Sequence, residues 1–129
     1  WFLLLLSEDN QAAKSLLAQV VAGNHVLFIS CLSVAEIFSV LIRKRVQELA
    51  HKLVIEMSAL PHVYIMPFDM AIAQDTARRK QAYGLSMIDA GILATALVNK
   101  CHVFIAADSD YKNVPTSVIR IVKPEEIVN

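Results

Sequence analysis

A helix start signal, followed by an apolar helix and then an apolar strand, constrains this chain most. In residues 85–97, Ser86 can cap a helix, and Asp89 follows it by three positions, as in a capping box. Apolar residues then recur at helical spacing, so one face of this predicted helix is apolar. An apolar run at 103–107 comes next, and Asp108 directly follows it. This order predicts a helix packed on a sheet, with one carboxylate at its first turn and another at the end of the next strand.

Helix patterns and short apolar runs alternate along the rest of the chain. We predict helices over 11–22, 33–45, 47–60, 70–82 and from Ser86 onward, a short buried helix over 1–6, a turn over 7–10, and a final turn or short helix over 123–126. We predict strands over 26–30, 63–66, 103–107 and 118–122. The run at 26–30 is continuously apolar, which is typical of a strand covered on both faces. The sequence therefore predicts an α/β fold with a central parallel sheet flanked by helices.

Size, charge and cysteine content bound the function. The 129 residues fit one domain, 1–129, and their 56% apolar content favours a large core or an additional oligomer interface. Twelve basic and twelve acidic residues cancel, so any nucleic-acid contact must depend on local patches. Cys31 and Cys101 lack metal-site spacing and are predicted to be free thiols in a reducing compartment, which favours the cytoplasm. The apolar run at 1–6 is far shorter than the about 20 residues that span a bilayer, so we expect no membrane partner.

Four acidic residues are expected at one edge of the predicted sheet. They lie one turn after the first strand, at the start of a later helix, at the end of the next strand and two residues beyond it: Glu36, Asp89, Asp108 and Asp110. Two carboxylate charges about 4 Å apart repel by about 4 kcal/mol at an effective dielectric of 20, so such a cluster needs protons or a cation. Oxygen ligands without nearby Cys or His favour Mg²⁺ or Mn²⁺. The pattern therefore predicts metal-assisted hydrolysis of a phosphodiester.

Structural roles are open for the same residues. Ser33 and Glu36 form a pattern that could simply be the capping box of the helix at 33–45, and Asp89 has the same alternative. Asp108 and Asp110 could be turn residues. Two basic runs are more often solvated helix faces than phosphate contacts: Arg43, Lys44, Arg45 and Arg78, Arg79. The apolar face at 34–41, like the run at 1–6, could pair with a second subunit or a partner helix, or could be ordinary core.

Three stretches resemble the motifs of PIN-domain proteins, and in particular of VapC-type ribonuclease toxins from bacterial toxin–antitoxin pairs. They are ISCLSVAE at 29–36, LSMIDAGILATAL at 85–97 and FIAADSDY at 104–111. The resemblance implies a three-layer α/β/α fold and a Mg²⁺- or Mn²⁺-dependent endoribonuclease, often a homodimer, that a cognate antitoxin inhibits. It also implies that Glu36, Asp89 and Asp108 ligate metal and activate the attacking water. The basic residues named above then become candidate RNA contacts.

Two departures from the family pattern leave an alternative open. The family has an Asp at the end of a first strand, and Trp1 falls just after that position, so we expect about five to eight further residues upstream. Ala106 stands where the family often has Thr or Ser. The alternative is a catalytically inactive PIN-type module that binds RNA or protein. A flavodoxin-like or receiver-like domain is disfavoured, because Gly23, Gly84 and Gly91 form no phosphate-binding loop.

Overall fold

Helices pack around short parallel strands in this chain. The computed structural model describes residues 11–106 and 109–128. The helices are α1 (Gln11–Val21), α2 (Cys31–Arg43), α3 (Gln47–Ala59), α4 (Met70–Tyr83), α5 (Met87–Val98) and α6 (Pro124–Val128). The strands are β1 (Leu27–Ser30), β2 (Val63–Met66), β3 (Val103–Ile105) and β4 (Arg120–Val122). The predicted order of elements is confirmed from α1 onward, and the predictions for 1–6 and 7–10 lie outside the described residues.

The strands form two parallel ladders. β1 pairs with β2, with Leu27 opposite Val63, and β3 pairs with β4, with Val103 opposite Arg120. Within the described residues, no hydrogen-bonded pair joins one ladder to the other. The pairing within each ladder confirms the predicted parallel arrangement of strands. The expectation of a further strand upstream of Trp1 stays a prediction.

One half of the core lies between the first ladder and helices α1 to α3. We call it the β1 core, and its buried members are Val20, Ile29, Ile37, Leu41, Ala50, Met57 and Val63. Helix α2 contributes Ile37 and Leu41, which lie one turn apart on one face, and Val34 and Phe38 pack against the same cluster. Each fully buried aliphatic side chain of this kind contributes about 1.5–3 kcal/mol. The apolar face at 34–41 therefore contributes to the core, and its pairing with a second subunit or a partner helix stays a prediction.

The other half of the core surrounds α5. We call it the α5 core, and its buried members are Leu85, Ala90, Leu93, Ala96, Phe104, Tyr111, Val114 and Ile119. Helix α5 packs on α4, α2 and β1, and six of its twelve residues are buried. Only Leu93 among those six has a large apolar side chain, so neighbouring elements can approach the helix backbone closely. This central place in the fold is what positions the first turn of α5.

Helix α2 begins earlier than predicted. Ser30 has an extended backbone, and its Oγ accepts a hydrogen bond from the Leu32 N–H at 3.1 Å, so Ser30 is the N-cap and the helix starts at Cys31. Ser33 lies inside the helix, and the prediction that Ser33 and Glu36 form a capping box is wrong. Both serines suit a cap by composition, and Ser30 takes the role because β1 ends there.

The remaining boundaries follow local signals. Asp69 caps α4 by accepting a hydrogen bond from the Ile72 N–H at 2.9 Å, and Gly84 ends that helix with a left-handed φ of 68°. Strands β3 and β4 are shorter than the apolar runs that predicted them. Cys31 and Cys101 are free thiols, as predicted.

In the part of the chain that the structure describes, no single helix is long and apolar enough to cross a membrane. Helices α4 and α5 meet the requirement of length and composition only when taken together, and they are bent by 118° at the break between them.

Candidate functional site

Asp89 lies on the first turn of α5, where the sequence predicted it. Ser86 caps the helix, since its Oγ accepts a hydrogen bond from the Asp89 N–H at 3.1 Å. Asp89 is half-buried, and among the described residues its carboxylate has no hydrogen-bond or ion-pair partner. A negative charge is favoured at this end of a helix by the free N–H groups and the helix dipole. The backbone therefore fixes Asp89 while its carboxylate oxygens are left without a partner inside the described chain.

A buried pair of hydroxyls ties α2 to α5. Thr95 donates a hydrogen bond to the Gly91 carbonyl at 2.8 Å, and its Oγ1 lies 3.3 Å from the Oγ of Ser30. Both hydroxyl-bearing residues are buried, and Ser30 is also the N-cap of α2. The contact therefore fixes the start of the helix that carries Glu36 against the helix that carries Asp89. Sequence reasoning missed it, because a threonine inside a helix gives no signal of what it faces.

The other predicted ligands lie on different elements. Glu36 is exposed on the second turn of α2, and Asp110 is exposed in the turn that follows β3. Asp108 lies outside the described residues. Within 11–106 and 109–128, no three His, Cys, Asp or Glu side chains form a group that could hold a metal ion. The structure thus puts Asp89, Glu36 and Asp110 on three separate elements, and their convergence with Asp108 stays a prediction.

The predicted ligands all offer the same kind of donor atom to a metal. All four predicted ligands are carboxylates, and oxygen is the donor that Mg²⁺ and Mn²⁺ prefer. The histidines, which would favour softer metals, are all exposed: His25, His51, His62 and His102. Because the Asp89 oxygens have no partner among the described residues, this carboxylate needs no rearrangement of an existing bond before it binds a cation. The donor set therefore fits a hard divalent cation.

Tyr111 connects the loop after β3 to the first turn of α5. Its hydroxyl donates a hydrogen bond to the main-chain carbonyl of Asp89 at 3.3 Å. The Tyr111 ring packs edge-to-face on Phe104, with ring centroids 4.7 Å apart and an interplanar angle of 70°. Sequence reasoning missed this residue, although an aromatic side chain directly after Asp110 was a signal that the acidic loop is anchored in the core.

The basic residues proposed as RNA contacts differ in solvent exposure and in their side-chain contacts. Arg43, Lys44 and Arg45 are all exposed at the end of α2. On α4, the Arg78 side chain is 72% exposed, and its Nη1 lies 3.7 Å from Oδ1 of Asp75. Arg78 therefore keeps most of its guanidinium in solvent, as a phosphate contact requires.

Arg79 is held along its own helix. Its Nε donates to Oδ2 of Asp75 at 3.2 Å and its Nη1 donates to the Tyr83 hydroxyl at 3.2 Å. Burial acts to lower the pKa of Arg79, but the hydrogen bonds and the charge of Asp75 outweigh it and raise the pKa. Asp75 itself is buried, which the sequence did not predict, because a charged residue on a helix normally faces solvent. The role of Arg79 as an RNA contact stays a prediction.

Comparisons with known proteins identify the family. The PIN domain family matches residues 1–116 of this chain. A toxin–antitoxin complex from Klebsiella pneumoniae has a similar structure, with a TM-score of 0.57, 23% sequence identity and coverage of 74% of this chain and 72% of that chain. VapBC2 from Rickettsia felis, bound to a DNA fragment from its promoter, is similar with a TM-score of 0.64, 13% identity and coverage of 81% and 80%. A comparison with curated proteins gives no match. Because the family match covers most of its length, the chain belongs to the PIN domain family.

Proposed function

We propose that this chain is a VapC-type toxin, a Mg²⁺- or Mn²⁺-dependent endoribonuclease that hydrolyses RNA phosphodiester bonds. The observation that carries the proposal is the half-buried Asp89 carboxylate, which is held at the first turn of α5 without a partner among the described residues. The family membership supports a nuclease, since the chain matches the PIN domain over residues 1–116. The similarity of its fold to two toxin–antitoxin complexes supports the more specific assignment.

Carboxylates would hold the metal in this proposal. Asp89, Glu36 and Asp108 are the proposed catalytic ligands, and Asp110 is proposed as a fourth metal ligand. These carboxylate oxygens would hold a divalent ion, which would supply a water of lowered pKa and stabilise charge on the phosphate. The contribution of the chain itself is position, because Ser86 fixes the backbone of Asp89 and the Ser30–Thr95 contact fixes α2 against α5.

Basic side chains on two helices would contact the RNA backbone. The exposed residues Arg43, Lys44 and Arg45 at the end of α2 are proposed phosphate contacts, together with Arg78 on α4. Arg79 is proposed to contribute charge nearby while it stays bound to Asp75 and Tyr83. Because the chain has no net charge, the contacts depend on where these cations lie rather than on the total.

A cognate antitoxin and a second copy of the chain are the proposed protein partners, and the cytoplasm is the proposed compartment. Both similar structures are toxin–antitoxin complexes, which supports an antitoxin. Large apolar side chains are exposed around the turn between α2 and α3: Ile42, Val46 and Leu49. Exposed apolar surface of this kind favours burial in a protein interface. Sedimentation of the chain alone and with the antitoxin would measure both associations.

RNA cleavage by the full chain tests the proposed activity. We expect cleavage with Mg²⁺ or Mn²⁺, no cleavage in EDTA, and a rate lower by about 100-fold or more in Asp89→Asn. Asp69→Asn is the matched control, because Asp69 also begins a helix and asparagine caps as well as aspartate. The control removes one negative charge outside the proposed site and should cleave at the rate of the unchanged chain.

The same measurements identify the inactive alternative. Cleavage that persists in EDTA, or that Asp89→Asn leaves unchanged, contradicts a metal-dependent nuclease. A chain that neither cleaves RNA nor binds Mn²⁺ at millimolar concentration is instead a PIN-type module that binds RNA or protein.

A further inference from the structure

The hydrogen bond between Tyr111 and Asp89 joins two segments that carry predicted metal ligands. The Tyr111 hydroxyl donates to the main-chain carbonyl of Asp89 across a separation of 22 residues in sequence. Asp89 carries one carboxylate itself, and Asp110 immediately precedes Tyr111. The bond therefore constrains the distance between the first turn of α5 and the loop after β3.

Side-chain packing and two backbone turns hold the Tyr111 ring in place. Tyr111 is only 7% exposed and its ring packs edge-to-face on Phe104 within the α5 core. The loop backbone is closed by two turns, since Lys112 N–H donates to the Ser109 carbonyl at 3.2 Å and Val114 N–H donates to the Tyr111 carbonyl at 3.0 Å. A close-packed ring between two turns cannot shift without moving the loop. The hydroxyl therefore reaches α5 from a rigid base.

We propose that Tyr111 is a positioning residue that sets the separation between Asp89 at the first turn of α5 and Asp110 in the loop after β3. The inference rests on the proposed metal-dependent function and adds to it a residue that contacts neither the ion nor the RNA. It acts through the main chain of Asp89, and groups that contact a metal ligand without contacting the metal commonly orient that ligand. Without the hydroxyl, the loop keeps its ring contact with Phe104 but loses this hydrogen bond to the first turn of α5.

Mn²⁺ binding to the full chain tests this role directly. Free Mn²⁺ is followed by its electron paramagnetic resonance signal during titration of the unchanged chain, Tyr111→Phe, Tyr83→Phe and Asp89→Asn. Tyr111→Phe removes only the hydroxyl, and we expect the dissociation constant to rise about three- to tenfold, below the roughly 10- to 100-fold typical of groups bonded directly to a ligand side chain. Tyr83→Phe is the matched control, because its hydroxyl bonds Arg79 rather than Asp89. It should bind Mn²⁺ like the unchanged chain.

The outcomes separate the two proposals. If the unchanged chain binds Mn²⁺ no better than Asp89→Asn, the proposed function fails. If binding depends on Asp89 but Tyr111→Phe binds like Tyr83→Phe, the proposed function stands and the role of Tyr111 is overturned. Weaker binding in both tyrosine variants also overturns it, because the effect would not be specific to the bond with Asp89.

A second measurement works without metal. The carbonyl ¹³C resonance of Asp89 should move upfield in Tyr111→Phe, because its carbonyl loses a hydrogen bond, and should not move in Tyr83→Phe. An unchanged resonance contradicts the contact itself. If Tyr111→Phe does not fold, the Mn²⁺ titration is made with Phe104→Leu, which keeps the hydroxyl but removes the ring that braces it. A raised dissociation constant then supports the proposal, and an unchanged one overturns it.

Discussion

A Cβ atom on Gly91 would overlap Cδ1 of Leu32, so the Leu32 side chain of α2 packs directly against the backbone of α5 at this glycine. The same Cβ would lie 3.3 Å from Cε2 of Phe68, which limits the space into which Leu32 could turn. Gly91 is one turn along from Met87, at the start of the helix that carries Asp89. The packing of Leu32 against α5 therefore depends on the absence of a methyl group at position 91.

Gly91→Ala should destabilise the chain. The methyl group overpacks the contact with Leu32 at a cost of about 1–3 kcal/mol, while alanine returns about 1 kcal/mol of helix propensity, so we expect a net loss of about 1 kcal/mol. Urea unfolding measures it. In a Leu32→Ala background the added methyl has room, and the same change should then be neutral or stabilising. Equal losses in both backgrounds would contradict the contact.

Arg79→Met should destabilise the chain more than the loss of an exposed ion pair does. The Asp75 side chain is 10% exposed, and without Arg79 the 3.7 Å contact with Arg78 is its only ion pair within the described residues, so we expect a loss of about 2 kcal/mol. Lys52→Met is the control, since Lys52 and Glu56 are both largely exposed and 3.9 Å apart. That change should cost no more than about 0.5 kcal/mol. Similar losses for both variants would show that Asp75 is solvated.

Stability should fall in alkaline solution because of Cys101. Burial raises the pKa of the Cys101 thiol, so the folded chain disfavours the thiolate. This contribution is complete below the unfolded pKa of about 8.5 and is lost as pH rises through the raised folded pKa. The unfolding free energy should therefore begin to decline as the pH rises past the unfolded pKa of about 8.5, and it should decline less in Cys101→Ala. Identical pH profiles for the two proteins would exclude Cys101 as the cause.

Thr95→Val should loosen the start of α2. The substitution keeps the shape of the side chain but removes the hydroxyl near Ser30, and we expect a loss of about 1 kcal/mol. Hydrogen exchange of the Leu32 amide, which Ser30 caps, should become faster. The control is Thr76→Val, because the Thr76 hydroxyl donates its hydrogen bond to the Ile72 carbonyl of its own helix. Unchanged exchange at Leu32 in Thr95→Val would mean that Ser30 holds the cap by itself.

Much of the fold could be predicted because its signals are local. Ser86 caps a helix where the sequence indicated, since a capping side chain acts on residues two or three positions away. The continuously apolar runs predicted parallel strands correctly. The PIN domain match confirms the predicted three-layer α/β/α class. These features need no knowledge of what is distant in the chain.

The errors and omissions arise where the outcome depends on packing. Ser30 and Ser33 are equally suited to cap α2, and only the end of β1 decides between them. The burial of Asp75 depends on how α4 packs in the folded chain, and the contact between Tyr111 and Asp89 joins distant positions. The candidate site also depends on packing, because its acidic residues come from separate elements. Its assembly around Asp108 therefore stays a prediction.

Helix α5 packs against both halves of the structure. It contacts β1 of the first ladder, packs against α4 and α2, and supplies Ala90, Leu93 and Ala96 to the core that holds β3. No strand pairing joins the two ladders within the described residues. Unfolding of α5 would therefore remove a packing partner from both ladders at the same time. The two halves are thus expected to melt in a single cooperative transition rather than one after the other.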